Sequence, residues 1–456
     1  MSAPTQSIDT LITHADVITF DDEGSLFDDG AIAIDNGSIV EIGPTAALTA
    51  KFSAIETVDA AGMIAMPGLI DAHLHTAQTM MRGLFPEVIH HGNLEQPMWR
   101  KYLIPFESNL TDDDMELSGR LAYSSLLLTG TTTFFDAGGP HPDAAARAAV
   151  DTGIRGIITR STVDDSFDIP ESMRLTTDQA IEENIGLVER WPAGGRVTGA
   201  MALRQIMNCS PELITAIHRE ATARGVKVHT HLLEGSDEIA FSVVRYGKRP
   251  VEFLTELEVF DSTLHCAHSV FASPWDVAAY ARSGASVAHC ANNYMFGVPR
   301  ALEYWRSGVA IGLGTDGAAT SPGTLDMFRI TEAVGRGQQH IYGVPVHEHF
   351  LLEPDEPLRM ATRGGARALN MSEKIGRLEA GLAADIVLLR TDGPDGVAVS
   401  PLAFLVDGAT GRDVDTVFVD GRRVVEGGEL TTIDVAETRA RGVARQKDLV
   451  AAFQNV

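Results

Sequence analysis

His73 and His75 stand one residue apart at the end of Met66-Pro67-Gly68-Leu69-Ile70-Asp71-Ala72-His73-Leu74-His75. On a β-strand alternate side chains point the same way, so both imidazoles share one face and Leu74 turns away. Two imidazoles placed like this can fill adjacent corners of a metal's coordination shell. Comparable polar endings close four later apolar runs, at His229 and His231, at His265, at His289 and at Asp316. A His or an acid at five strand ends reads as a metal site.

Three nitrogens and a carboxylate suit Zn2+ or another first-row divalent ion. We assign His73, His75, His231 and Asp316 as the ligands. His229 competes, because it shares a strand face with His231. His231 is preferred: it lies nearer the strand end and opens His231-Leu232-Leu233-Glu234. His229 then reads as an inward residue one layer deeper. A bound metal brings the pKa of its water towards ~7. Glu234 is placed to take that proton and pass it to the substrate. Asp316 can assist as an acceptor beside the same water. His265 is assigned to polarise the electrophilic centre or hold the hydroxide. His268 reads as lying past its strand, with no role. His289 stays open between a role behind the ligands, one facing the substrate and a structural one.

These side chains need a scaffold that gathers distant strand ends. From Pro67 onward short apolar strands alternate with helix-length segments, the pattern of βα units on a parallel sheet. Strands end near His73, Asp136, Arg160, Leu203, His231, His265, His289 and Asp316. Between them lie helical segments such as 115–128, 142–152, 177–190, 211–224, 274–283 and 300–307. Eight units predict an α/β fold with a (β/α)8 TIM-like barrel, whose catalytic residues sit at the C-terminal strand ends. Before Pro67, and again from Ala384 to Val425, the strands are short and separated by Asp-Gly-type turns such as Asp420-Gly421. We therefore expect a small β-sandwich domain built from both chain ends, as 1–66 and 373–430. The barrel spans 67–372, and a terminal helix in 431–456 starts after an N-cap at Asp434.

Bulk composition narrows the partners. The 456-residue chain is 44% hydrophobic and 21% charged, ordinary for a globular protein with a large core. Its net charge of −26 argues against nucleic acid and against anionic membrane surfaces. Cys209, Cys266 and Cys290 are far apart and odd in number, which fits a reducing cytoplasm and no disulfide framework. No signal peptide or membrane span is read. We expect a cytoplasmic homo-oligomer acting on a small molecule. There is no Gly-x-Ser-x-Gly elbow, no P-loop and no Cys-x-x-Cys base-deaminase signature.

Pro67 to His75, His231-Leu232-Leu233-Glu234, Leu264-His265-Cys266, Leu313-Gly314-Thr315-Asp316-Gly317 and Ile375-Gly376-Arg377-Leu378-Glu379-Ala380-Gly381-Leu382-Ala383-Ala384-Asp385 together resemble the amidohydrolase superfamily. The branch is that of the cytosine-, guanine- and adenosine-type deaminases and s-triazine hydrolases. The resemblance implies one divalent metal, zinc or iron with zinc first, on the residues matching His73, His75, His231 and Asp316. It also implies proton handling by those matching Glu234 and His265. The two-metal type uses a carboxylated lysine at strand 4. The segment Val197–Ile206 holds Arg204 and no lysine, which favours a single metal.

The stretch Trp99 to Glu107 resembles the one supplying a sugar-contacting Glu in adenosine-type deaminases, and Arg160 matches a substrate-facing arginine there. With Gln78 and Asn292, Glu107 and Arg160 are the candidate substrate-binding residues. The Gly-Pro-His usual after strand 4 is replaced by Met201-Ala202-Leu203, and the run after strand 7 reads Cys290-Ala291-Asn292-Asn293. Both departures sit where ring recognition occurs, so the resemblance carries no particular substrate over. The expected reaction is deamination of an amino-substituted nitrogen heterocycle (purine, nucleoside, pterin, pyrimidine or triazine type) by metal-activated hydroxide. Hydrolysis of a non-ring amide, urea or carbamate C–N bond is the alternative, and a non-catalytic binding barrel is the third reading.

Overall fold

The computed structural model describes residues 6–90, 95, 97–165, 169–293, 299–321, 325–348 and 350–454. Nine parallel strands carry the candidate site, and we number only these. They are β1 (Leu69–Leu74), β2 (Thr131–Asp136), β3 (Arg155–Ile158), β4 (Val197–Gly199), β5 (Met201–Gln205), β6 (Val228–Leu232), β7 (Leu264–His268), β8 (Ser286–His289) and β9 (Ile311–Leu313). They form two sheets, β1-β2-β3-β4 and β5-β6-β7-β8-β9. Only Ala200 separates β4 from β5, and its N–H donates to Ile158 of β3 at 2.9 Å. At the other margin Leu74 bridges Asp316 in parallel. There the His75 N–H donates to the Asp316 carbonyl at 3.1 Å, and the Asp316 N–H to the His73 carbonyl at 2.9 Å.

Helices return the chain between strands, as the periodicity predicts. Asp112–Leu128, Thr177–Arg190 and Pro274–Ser283 each start in a capping box, formed by Thr111 with Asp114, Thr176 with Gln179 and Ser273 with Asp276. In each box the cap hydroxyl and the acid or amide three residues on satisfy N–H groups that the first turn leaves unpaired. β1, β2, β6 and β7 are buried along their whole length. That burial on both faces is why they read as near-continuous apolar runs.

Strands from both chain ends form one connected nine-stranded sheet. Met63–Pro67 pairs antiparallel with Ile386–Arg390, which joins the two halves. The Gly68 N–H then donates to the Asp385 carbonyl at 2.9 Å, and the chain leaves this sheet to begin β1. The Asp420-Gly421 turn links Val414–Val419 to Arg422–Glu426, as predicted. The terminal helix runs Val435–Gln454, and Asn455 lies outside the described residues. Asp434 caps it, accepting from the Glu437 N–H at 2.9 Å.

Candidate active site

β1 delivers His73 within the strand and His75 one residue past it, both buried. The approach of β1 to the segment after β9 is close. A Cβ on Gly314 would stand 2.9 Å from His73 Cβ and 3.0 Å from its carbonyl oxygen, so this position accepts no larger residue without a shift. Asp71 ties the same two segments. Its Oδ1 accepts from the His73 N–H at 3.2 Å and the Thr315 N–H at 3.0 Å, and its Oδ2 from the Thr315 hydroxyl at 2.5 Å. Burial pushes Asp71 up to about 7, partly opposed by those hydrogen bonds. Asp316 follows at φ 63°, a left-handed conformation unusual for a non-glycine residue and found where function holds the chain in place.

Four side chains converge here. His73 Nε2 lies 3.2 Å from Asp316 Oδ1, His75 Nε2 3.5 Å from the same oxygen, and His75 Nε2 3.0 Å from His231 Nε2. Ligands at roughly 2.0–2.2 Å in a tetrahedral shell stand roughly 3.3–3.6 Å from one another. The observed separations are close to that, with no ion-sized rearrangement needed. His73 Nε2 is buried without a hydrogen-bond partner. Burial lowers the pKa of all three imidazoles, so they are neutral and able to ligate. Burial alone would raise the Asp316 pKa. Its polar contact with His73 and the neighbouring imidazoles outweigh it and hold the carboxyl well below the usual range, so it stays ionised. The donor set therefore fits a divalent metal. His231 Nδ1 donates to the Arg204 carbonyl at 2.8 Å, which leaves Nε2 as the free lone pair.

His229 lies beneath this set. Its Nε2 is 2.9 Å from His73 Nδ1 and the two rings stack with centroids 5.0 Å apart.

The structure differs from the sequence reading at β7. That strand runs on to His268 instead of ending at His265. Both His265 nitrogens are engaged, Nδ1 with Ser286 Oγ at 2.9 Å and Nε2 with the Ala72 carbonyl at 2.8 Å. Its ring stacks on Phe135, and burial lowers its pKa to about 3. Nothing on that ring is left to reach a substrate. His268 instead joins the cluster: its ring centroid is 5.2 Å from that of His73 and 5.5 Å from that of His231. Its Nε2 is buried, has no hydrogen-bond partner and lies 3.7 Å from Glu234 Oε1. Strand alternation pairs His268 with the outward Leu232. Left-handed φ values of 69° at His268 and 53° at Ser269 break that alternation. One signal was available in the sequence. A strand from Leu264 to His265 would be two residues long, whereas the usual length of about five reaches His268.

Glu234 follows Leu233, which also has a positive φ of 53°. Its Oε2 accepts from Gln205 Nε2 at 2.9 Å, and burial raises its pKa. Beside it opens a cavity of about 370 Å³ whose lining includes Met98, Trp99, Gln205, Met207 and Asp237. His289 is buried with both ring nitrogens unpartnered, and burial lowers its pKa to about 3.

Of the candidate substrate residues, Gln78 and Glu107 meet: Gln78 Nε2 donates to Glu107 Oε1 at 3.0 Å. Arg160 donates from Nη1 to the Pro140 carbonyl at 3.0 Å. Asn292 precedes Asn293, whose amide donates to Asp316 Oδ2. The sequence reading missed Arg204 as a site residue because it ended the strand at Leu203. β5 runs to Gln205 and carries the buried Arg204, whose Nη1 donates to Glu107 Oε2 at 2.7 Å.

Comparison with known proteins places this geometry. A family model described as "Amidohydrolase family" matches residues 64–424. A 5-methylthioadenosine/S-adenosylhomocysteine deaminase of Syntrophobacter fumaroxidans is 33% identical over 451 residues, covering 96% of this chain and 98% of that one. A zinc-bound adenosine deaminase from Xanthomonas campestris superposes with TM-score 0.89 at 26% identity, covering 99% of this chain and 100% of that one. Atrazine chlorohydrolase from Arthrobacter aurescens TC1, complexed with zinc, gives TM-score 0.83 at 26% identity, covering 96% of this chain and 100% of that one. The site and these matches lead to one conclusion: the chain belongs to the amidohydrolase family.

Proposed function

We propose that this chain is a zinc-dependent hydrolase that deaminates an amino-substituted nitrogen heterocycle. The observation that carries the reading is the buried set of His73 Nε2, His75 Nε2, His231 Nε2 and Asp316 Oδ1, with successive neighbours 3.0–3.5 Å apart and Glu234 beside it. The deaminases and the zinc-bound hydrolases among the relatives support it. We take the two parallel sheets as one closed (β/α)8 barrel over 67–372. The contacts across Ala200 and between Leu74 and Asp316 support closure. The small domain is then 1–66 with 373–430, folded as a sandwich around buried residues such as Ile12, Ile32 and Phe418.

In this reading His73, His75, His231 and Asp316 hold the ion. When bound, the ion supplies a water acidic enough to serve as a nucleophile near neutral pH. Glu234 takes a proton at its carboxylate and delivers it to the departing amine nitrogen. Gln205 holds the Glu234 Oε2, which leaves Oε1 to face the reaction. His268 takes the part the sequence reading gave to His265, donating from Nε2 towards the attacked centre. Asp316 stays ionised throughout and accepts a hydrogen bond. His229 keeps His73 in one tautomer. The substrate enters by the cavity beside Glu234, whose apolar Met98, Trp99 and Met207 exclude water.

The test compares ammonia release from purines, nucleosides, pterins, pyrimidines and triazines with hydrolysis of acyclic amides, ureas and carbamates. The reading predicts ammonia from at least one amino-heterocycle. Turnover confined to the acyclic panel would replace it with the alternative hydrolase.

A further inference from the structure

The wall of the 370 Å³ cavity beside Glu234 has a one-sided charge. Among its described lining residues Glu234, Asp237 and Glu238 carry carboxyls, and none is a lysine, arginine or histidine. The three follow β6 and run into the first turn of the helix Ser236–Tyr246. Acids in a first turn ordinarily serve the positive end of the helix, and Glu238 Oε2 does so, accepting from the Glu234 N–H at 3.1 Å. That role leaves two groups unexplained. Glu238 is 1% exposed, and its Oε1 is buried with no hydrogen-bond partner. Such an oxygen is costly unless something completes it. Asp237 folds back over Gly235, its Oδ1 lying where a Cβ on that glycine would collide. It makes no hydrogen bond or ion pair among the described residues.

The three carboxyls also repel one another. Burial, and then the charges of Glu234 and Asp237, push Glu238 well above the usual carboxylate range, and Asp237 adds to the rise at Glu234. Arg204 bears on Glu234 from behind, but its guanidinium is bound to Glu107 at 2.7 Å. A cation inside the cavity would relieve the repulsion. It is not a metal ion: among the described residues, the groups that bring three ligand atoms within 4.8 Å of one another are drawn from His73, His75, His231, His268 and Asp316. The rest of the wall suits an organic cation. An indole face attracts positive charge, and thioethers are polarizable. Trp99, Met98 and Met207 supply both. The net charge of −26 draws cations towards the chain as a whole.

We propose that this cavity is a subsite for an alkylammonium arm carried by the substrate ring, with Asp237 as its counter-ion and Glu238 Oε1 as a hydrogen-bond acceptor. Trp99 and the two methionines lie along the methylenes. Asp237 is then a specificity-determining residue. This deepens the reading above and rests on it, narrowing the substrate class to amino-heterocycles with a cationic side arm.

The experiment takes each ring that releases ammonia in the panel above and compares three arms, ending in ammonium, hydroxyl and carboxylate. For a purine nucleoside these are 5′-amino-5′-deoxyadenosine, adenosine and adenosine 5′-carboxylate. For a triazine they are melamine carrying 2-aminoethyl, 2-hydroxyethyl or carboxymethyl. The expected kcat/KM of the zinc-loaded enzyme is higher for the ammonium than for the hydroxyl arm by about tenfold or more, the scale of one charge-assisted hydrogen bond. The carboxylate arm is poorest. In Asp237→Asn the ratio of ammonium to hydroxyl falls towards one, with metal stoichiometry at the wild-type level. Because the readout is a ratio within one variant, a general loss of folded enzyme does not move it. Equal kcat/KM for the ammonium and hydroxyl arms overturns the inference, as does a preference for the carboxylate. So does a ratio that Asp237→Asn leaves unchanged. Ammonia from no ring of the panel overturns the function reading itself, and this inference falls with it.

Discussion

Glu234→Ala is expected to lower kcat by about 10²–10⁴-fold, the usual contribution of a positioned acid–base group, without loss of bound metal. The two effects separate because Glu234 is not among the atoms that meet at Asp316 Oδ1 and the imidazole Nε2 positions. Its carboxylate is held from the side by Gln205 at 2.9 Å and faces His268 Nε2 at 3.7 Å. Its backbone N–H donates to Glu238 Oε2 at 3.1 Å, which fixes the turn after β6. To accept a proton Glu234 must first be ionised, and burial raises its pKa above the ordinary carboxylate value. Activity should therefore fall on the acid side at a higher pH than an exposed glutamate would give. The residual activity of Glu234→Ala should lack that limb. Steady-state kinetics across pH, with metal content measured on the same samples, check both points. Near-wild-type turnover by a metal-replete variant would remove Glu234 from the proton path.

Arg155→Met should destabilise the protein by about 3–5 kcal/mol, the scale for breaking a buried ion pair from one side. Arg155 is 1% exposed on β3, far in sequence from its partners. Its Nε and Nη2 each donate to Asp385 at 2.9 Å, and Nη2 also donates to Asp420. Asp385 in turn accepts from the Asp420 N–H at 2.8 Å. The guanidinium thus fastens a strand of the parallel sheets to the start of one strand and to the Asp420-Gly421 turn of the sheet formed by the chain ends. Methionine fills much of the volume but leaves Asp385 buried without a cation. Chemical denaturation checks the size of the loss. Adding Asp385→Asn to Arg155→Met removes the stranded charge and should recover a good part of the stability. A single variant that loses less than about 1 kcal/mol, the range of an exposed pair, would show that the clamp is dispensable.

What the sequence made legible was whatever depends on short-range spacing. His73-x-His75 shares a face because strand side chains alternate, and His231 opens a run that returns Glu234 three residues later. Asp316 was legible because a glycine-flanked acid ended the last apolar run. The alternation of strands and helices was readable for the same local reason, as was the cap at Asp434. Strand length reaches His268, but the facing of its ring was not legible, because two consecutive left-handed residues override the alternation. Arg204 was misread because one short strand was ended two residues early, and its meaning depends on Glu107, almost a hundred positions away. The Arg155–Asp385 clamp joins residues 230 positions apart, and no local pattern announces it.

The central claim is a single-metal hydrolytic centre, and metal stoichiometry tests it most directly. The purified full-length protein is stripped with a chelator, titrated with zinc, and assayed for bound metal per chain and for ammonia release at each point. The account predicts that one equivalent binds per chain and that activity rises in proportion until that equivalent is filled. Activity that needs a second equivalent, or that persists in the stripped protein, would contradict it.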